Sequence, residues 1–147
     1  MSIEENKRIV RQNTADFNAC GGDIAKIRLA YDKHIGPGYV NHTLLRGDMD
    51  REQRIQYVLM MMPAMPDLNY SEEDMVAEGD KVVTRYTARF THKGTFLGIP
   101  ASGKQIVVKG VEINRIASGK IVETWDYMDY TGLMSQLGAI AGASPKK

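Results

Sequence analysis

The chain has 147 residues, 43% apolar and 25% charged, and its 19 basic and 18 acidic side chains leave a formal charge of +1. That length suits one domain with one substantial core, and the balanced charge excludes a whole-domain phosphate-binding surface, so nucleic acid is not an expected partner. No run is apolar for long enough to cross a bilayer, and the N-terminus MSIEENKRIVRQN carries charge from its fourth residue in place of a signal segment, so a cytoplasmic protein with no membrane partner is expected.

Residues 2–19 place Ile3, Val10, Asn13, Thr14 and Phe17 near one helical stripe, with Ser2 and Glu5 in capping-box spacing. Gly21 and Gly22 stop this helix, and Asp23 can cap the next, DIAKIRLAYDKH, which ends before the Gly-Pro-Gly of residues 36–38. Cys20, the single cysteine, cannot form an internal disulfide, and no Cys/His spacing resembles a zinc site. It reads as a helix-end packing residue, with a reactive thiol as the alternative. YVNHTLL follows as a short extended or irregular piece carrying Asn41 and His42.

Ile55, Val58, Leu59 and Met62 repeat at helical spacing and predict a third helix over 49–62, ended by Pro63 and Pro66. The methionines Met60, Met61, Met62 and Met65 read either as flexible core filler or as the adaptable lining of a pocket for an apolar ligand. From Leu68 the period changes to two. LNYSEEDMVAE and VVTRYTARFTH form one strand pair about a Gly-Asp turn, and KQIVVKGVEINRI and IVETWDYMDY form a second about Ser-Gly. GTFLGIPASG between the pairs is too rich in Gly and Pro for regular strand. A short helical or packing segment, TGLMSQLGAIAG, precedes the end of the chain. A single domain over residues 1–140 and a flexible tail over 141–147 are expected. Helices first and strands afterwards make an α+β domain, with N-terminal helices packed in the concave face of a curved, mostly antiparallel sheet whose wide mouth can hold a small molecule.

On the last strand Ile121, Glu123, Trp125, Tyr127 and Asp129 share one face if pairing is regular, and Val122, Thr124, Asp126, Met128 and Tyr130 share the other. Trp125 is taken to mark the buried face, which sends Asp129 into a partly apolar interior and Asp126 elsewhere; a bulge between them would invert this. A carboxyl group in such surroundings has its charged form disfavoured, which suits it to accept and return a proton near neutral pH. His34 reads as structural at a helix end. His42 leaves an element for the pocket, and His92 shares the period of Thr84, Tyr86, Ala88 and Phe90, so both are pocket candidates. Arg85 and Arg89 share the opposite face, read as solvated or as an interface, with a substrate-holding arginine as the alternative. Glu112 and Asn114 alternate with Val111, Ile113 and Arg115, and periodicity does not say which set faces inward. No nucleophile elbow, dinucleotide or nucleotide loop, HExxH or EF-hand pattern is present, so neither a metal nor a nucleotide cofactor is expected.

The run from Val76 to Gly138, above all EGDKVV, THKGTFLGIPASGK, GKIVETWDYMD and QLG in that order, closely resembles the SnoaL-like polyketide cyclases, or ester cyclases, of the nuclear-transport-factor-2-like superfamily. The similarity covers roughly residues 5 to 138. It implies a curved antiparallel sheet wrapped around N-terminal helices and a homodimer through the sheet's outer face. It also implies a metal-free and nucleotide-free intramolecular aldol closure, with an aspartate four residues beyond the tryptophan of GKIxExW as general acid-base. That position is Asp129. His92 and Asn41 or His42 fall where the family often carries polar pocket residues. The strand before Asp129 departs from the cyclases, offering Glu112, Asn114 and Arg115 where they present Gln and His. The expectation is thus a cofactor-independent cyclase, isomerase or hydratase acting on a small apolar, carbonyl-bearing compound. Asp129 and His92 are its expected catalytic residues, and Asn41, His42, Glu112, Asn114, Trp125, Tyr127 and Met62 are expected around the substrate. A non-catalytic small-molecule-binding module is the alternative.

Overall fold

The computed structural model describes residues 1–140; the expected flexible tail, residues 141–147, lies outside the described residues. Helix α1 (Ile3–Ala19) begins at a capping box in which the Ser2 hydroxyl accepts from Glu5 N and the Glu5 carboxylate accepts from Ser2 N. Helix α2 (Ile24–His34) begins at Asp23, whose carboxylate accepts from Lys26 N. The two helices are clasped by Asp16, which meets Lys33 at 2.8 Å and His34 at 2.6 Å, and these partners hold its carboxyl group well below the usual range. Cys20 is buried, and burial pushes its thiol up.

Strand β1 (Ile35–Thr43) runs through the Gly-Pro-Gly that read as a break. Its ladder with the last strand shifts register between Ile35 and Val40, so Pro37 falls where no ladder bond is asked of it. A short β2 (Gly47–Asp50) turns back on β1, and Asp50 caps α3 (Arg51–Met61) in a second capping box with Gln53. Four long strands follow: β3 (Asn69–Glu78), β4 (Lys81–Thr91), β5 (Gln105–Ala117) and β6 (Lys120–Met128), then α4 (Tyr130–Gln136). Ser118 and Gly119 both hold positive φ, 50° and 75°, which matches the β5–β6 turn to the right-handed twist of its strands.

The six strands form one open, curved sheet in the order β2-β1-β6-β5-β4-β3. Neighbouring strands in the sheet pair antiparallel as expected, except β1 and β6, which run parallel, and the consecutive strands β2 and β3 form its two opposite edges. Register changes from Arg115↔Glu123 to Ile116↔Ile121, so Val122 is an extra residue on β6, and its side chain packs on Gly36, where no Cβ stands in the way. Because of this bulge Ile121 and Thr124 both turn inward. The apolar core lies in two clusters on the concave side. One gathers Ile27, Val58, Met62, Phe90, Ile106 and Leu133, and the other Ile9, Val10, Ile35, Val82, Ile116 and Ile121. Each fully buried isoleucine contributes about 2–3 kcal/mol by leaving water. A cavity lies where the borders of the two clusters meet.

Candidate active site

The helices close over the concave face but leave a chamber of about 100 Å³. A second, more apolar chamber of about 70 Å³ adjoins it, and Arg54, Met61, Leu68, Tyr70 and Asp126 border both. Its floor is the middle of the sheet. Glu112 on β5 stands between Thr84 on β4 and Asp126 on β6, each directly opposite in register, so one row of the pleat carries a hydroxyl and two carboxyl groups side by side. The next row carries Asn114 opposite Thr124, which is itself opposite Asn41 of β1.

Hydrogen bonds order this floor. Tyr86 donates its hydroxyl to Asp126 Oδ1 at 2.7 Å, reaching from β4 across β5. It can do so because Gly110 is the residue opposite it: a Cβ there would collide with the Tyr86 hydroxyl. Asn114 donates to Glu112 Oε1 at 2.8 Å and accepts from the Thr124 hydroxyl at 2.6 Å. Asn41 donates to the Tyr39 hydroxyl at 2.9 Å. Phe17, Tyr70 and Tyr86 follow one another edge to face, with centroids 5.6 Å apart at each step. Three buried polar atoms of the wall have no hydrogen-bond partner: Asn41 Oδ1, Thr84 Oγ1 and Glu72 Oε2. Three of the five such atoms among the described residues thus leave hydrogen-bonding capacity open on one cavity wall, the other two being Asn6 Oδ1 and His92 Nε2.

The electrostatics agree. Burial, reinforced by the neighbouring Asp126 charge, pushes Glu112 up to about 7, against the Asn114 bond and the Arg54 charge. Burial also raises Asp126, while the Tyr86 hydroxyl and Arg54 favour its charged form. Glu72 is raised by burial. Tyr86 is pushed far up by burial and then by Asp126, so it remains an O–H donor. Two adjacent carboxyl groups that resist ionisation together can divide the roles of proton donor and proton acceptor.

Asn41, Glu112 and Asn114 are brought to the cavity wall, and the choice of inward set on β5 is settled for Glu112 and Asn114. The other expected site residues lie elsewhere. Trp125 and Tyr127 stand on the convex face: Tyr127 is 50% exposed, and Trp125 stacks on His42 with centroids 5.3 Å apart. His42 is therefore also outside, held at 2.7 Å by Asp48 and at 2.7 Å by Glu123, and those bonds, Glu123 first, raise its pKa. Glu123 is shared with Arg115 at 3.0 Å. His92 is fully buried at the end of β4, but it binds the Ser102 hydroxyl and backbone and clasps the 93–104 loop away from the cavity. Met62 packs into the core, and its neighbour Met61 lines the cavity instead.

Asp129 is not among the residues lining the cavity. It lies beyond the end of β6, exposed, as the N-cap of α4, where its carboxylate accepts from Gly132 N at 2.9 Å. The alternation holds only beyond the bulge at Val122, which turns Ile121 inward away from the face of Glu123 and Trp125, and the face taken as inner was the outer one. Trp125 marks the outer side, and Asp126 with Thr124 the inner one. Tyr31, Tyr39, Tyr70, Tyr86, Thr84, Thr124 and Arg54 are wall residues that the sequence reading did not select. The available signal for Arg54 is a cation in the stripe of Val58 and Met61 on α3.

A model of the SnoaL-like polyketide cyclases matches residues 11–137. The chain belongs to this family. Among solved structures, the SnoaL-like fold is shared with AclR from Streptomyces galilaeus, a candidate hydroxylase, at 26% identity and a TM-score of 0.82, covering 95% of this chain and 99% of that one. A candidate polyketide cyclase from Acidithiobacillus ferrooxidans is 28% identical with a TM-score of 0.75, covering 96% and 100%. IdmH from Streptomyces antibioticus, also a candidate polyketide cyclase, is 27% identical with a TM-score of 0.74, covering 90% and 98%. No curated protein matches the chain. One SnoaL-like fold thus carries candidates for two reaction types, and the side chains of the cavity have to decide between them. Among the described residues no three His, Cys, Asp or Glu side chains converge as a metal-holding group, and no helix is long and apolar enough to cross a membrane.

Proposed function

We propose that this SnoaL-like protein is an acid-base enzyme of the cyclase or isomerase type acting on a small apolar carbonyl compound, with Asp126, and not Asp129, as the proton acceptor. The observation that carries the reading is the pair Glu112 and Asp126, opposite each other on the cavity floor with the Tyr86 hydroxyl fixed on Asp126. In an aldol closure Asp126 takes a proton from the carbon beside a carbonyl. The enolate carbon then attacks a second carbonyl carbon of the same molecule, and the new alkoxide receives a proton from Glu112. Transfer of the first proton from Asp126 to Glu112 restores both groups, so the product is an isomer of the substrate. Neither step asks for a group the side chains do not supply.

The family supports a small-molecule ligand, and the outer face supports the homodimer that the resemblance implies. Val107, Val111 and Tyr127 are exposed there beside Trp125, a partly apolar surface suited to a second copy. The test of the catalytic reading is exchange of hydrogen for deuterium beside the carbonyl of benzylacetone and related aryl ketones, followed by nuclear magnetic resonance. Mass spectrometry of tethered diketones would follow closure in parallel. Exchange by the native protein and none by Asp126→Asn supports the assignment. Ketone binding with no exchange in the native protein would instead make the chain a binding module.

A further inference from the structure

Helix α3 sets a guanidinium where its packing stripe calls for hydrocarbon. Arg54 lies one turn before Val58 and two before Met61, is half-buried, and borders both chambers. Elsewhere Arg89 donates to the Ser71 hydroxyl, and the arginines in ion pairs hold carboxylates: Arg51 on the same helix holds Asp32, Arg28 holds Glu52, Arg85 holds Asp74 and Arg115 holds Glu123. Arg54 does not. Among the described residues no hydrogen bond or ion pair reaches it, and its guanidinium carbon is 5.8 Å from the centroid of the Tyr57 ring, at the far limit of a cation–π contact. Asp126 favours its charge from a distance without forming an ion pair. A guanidinium carries five N–H donors, and on this half-buried side chain none of them is used by the described residues.

We propose that Arg54 anchors a two-oxygen anion on a small apolar compound: the carboxylate of a free acid, or the enolate of a β-dicarbonyl. The inference rests on reading this cavity as the substrate site. The planar fork of arginine presents parallel N–H donors that match two oxygens held in one plane, whereas an ester or a simple ketone offers one good acceptor. The walls fit the remainder of such a molecule, since Phe90, Phe96 and Val108 make the second chamber apolar. The space suits one ring and a short chain. Glu112, held protonated toward neutral pH, limits repulsion of the guest. With the anchored oxygens at Arg54, the adjoining carbon lies toward Asp126, the one carboxyl group bordering both chambers.

Calorimetry with phenylbutanoate, its methyl ester and benzoylacetone tests this, together with the ultraviolet band of the benzoylacetone enolate. We expect phenylbutanoate to bind at least about tenfold more tightly than the ester, a difference of about 1.4 kcal/mol, or the enolate band to grow on adding protein at neutral pH. The acid arm alone identifies a free-acid ligand, and the enolate arm alone a β-dicarbonyl. Either preference should vanish in Arg54→Met and in Arg54→Gln, both checked for folding by circular dichroism, and should survive Arg85→Met, which removes the same charge from the outer face. Equal binding of acid and ester without an enolate band, binding unchanged in the Arg54 variants, or no binding in either arm would overturn the anchor. Equilibrium binding is read apart from turnover. A protein that catalyses exchange without preferring the anion refutes the anchor alone, and one that prefers the anion without exchange refutes the catalytic reading alone.

Discussion

The two faces of β6 carry similar residues in opposite conditions. On the convex face, Glu123 is bonded to both His42 and Arg115, His42 is bonded at each ring nitrogen, and Trp125 covers the imidazole. Each of these three charged groups has an answer within the chain. On the concave face, one residue beyond Trp125, Asp126 sits beside Glu112 against the electrostatic preference of both, Arg54 has no hydrogen-bond or ion-pair partner among the described residues, and three polar atoms of the cavity wall are unpaired. A closed polar network is what surface stability or assembly requires. An open one, held against its own cost, is what a ligand requires.

Six substitutions sharpen the contrast. The largest effect is expected from Asp126→Asn, which should lower exchange by about 10²–10⁴-fold with folding preserved, the range ordinary for loss of an acid-base group. Tyr86→Phe comes next. It removes the bond that favours the charged form of Asp126, so the acidic limb of the pH–rate profile should move to higher pH, with a rate loss of about tenfold at neutral pH. Gly110→Ala should act on the same contact by collision and cost about 1–3 kcal/mol in denaturant unfolding.

Glu112→Gln tests the floor through stability. The folded value of Glu112, about 7, lies above its ordinary 4.5, so folding favours the protonated acid. Its contribution is therefore fully present below pH 4.5 and is lost as pH rises through about 7. The native protein should lose about 1–3 kcal/mol between pH 5 and 8 from this group, the lower figure applying if water in the cavity screens it, and the variant should show a flatter profile. The smallest effects belong to the outer face. His42→Ala should cost about 1 kcal/mol or less and leave exchange intact. Tyr127→Glu should leave the fold intact and shift a dimer toward monomer in analytical ultracentrifugation.

Much of the fold was legible because its signals are local. Ser2, Asp23 and the Ser118–Gly119 turn each act within a few residues, and the long strands alternate by their own composition. What depended on distant pairing was not legible. The parallel β1–β6 ladder joins strands some eighty residues apart, and the Gly-Pro-Gly of β1 makes sense only beside the bulge at Val122. Trp125 misled because size alone does not tell an inner face from an outer face that has its own stacking partner. Asp126 gains its setting from Glu112 and from a tyrosine two strands away, reached across a glycine, and no window of the sequence contains all four. Arg54 was not selected, although it stands in the sequence as a charge at helical spacing from Val58 and Met61.

The central claim is that proton transfer belongs to the concave aspartate and not to the helix cap three residues later. Deuterium exchange into benzylacetone by Asp126→Asn and Asp129→Asn, measured side by side on folded proteins, tests it most directly. The account predicts exchange near the native rate in Asp129→Asn, since Asn caps a helix about as well as Asp, and exchange at background in Asp126→Asn. Exchange lost in Asp129→Asn and kept in Asp126→Asn would contradict it.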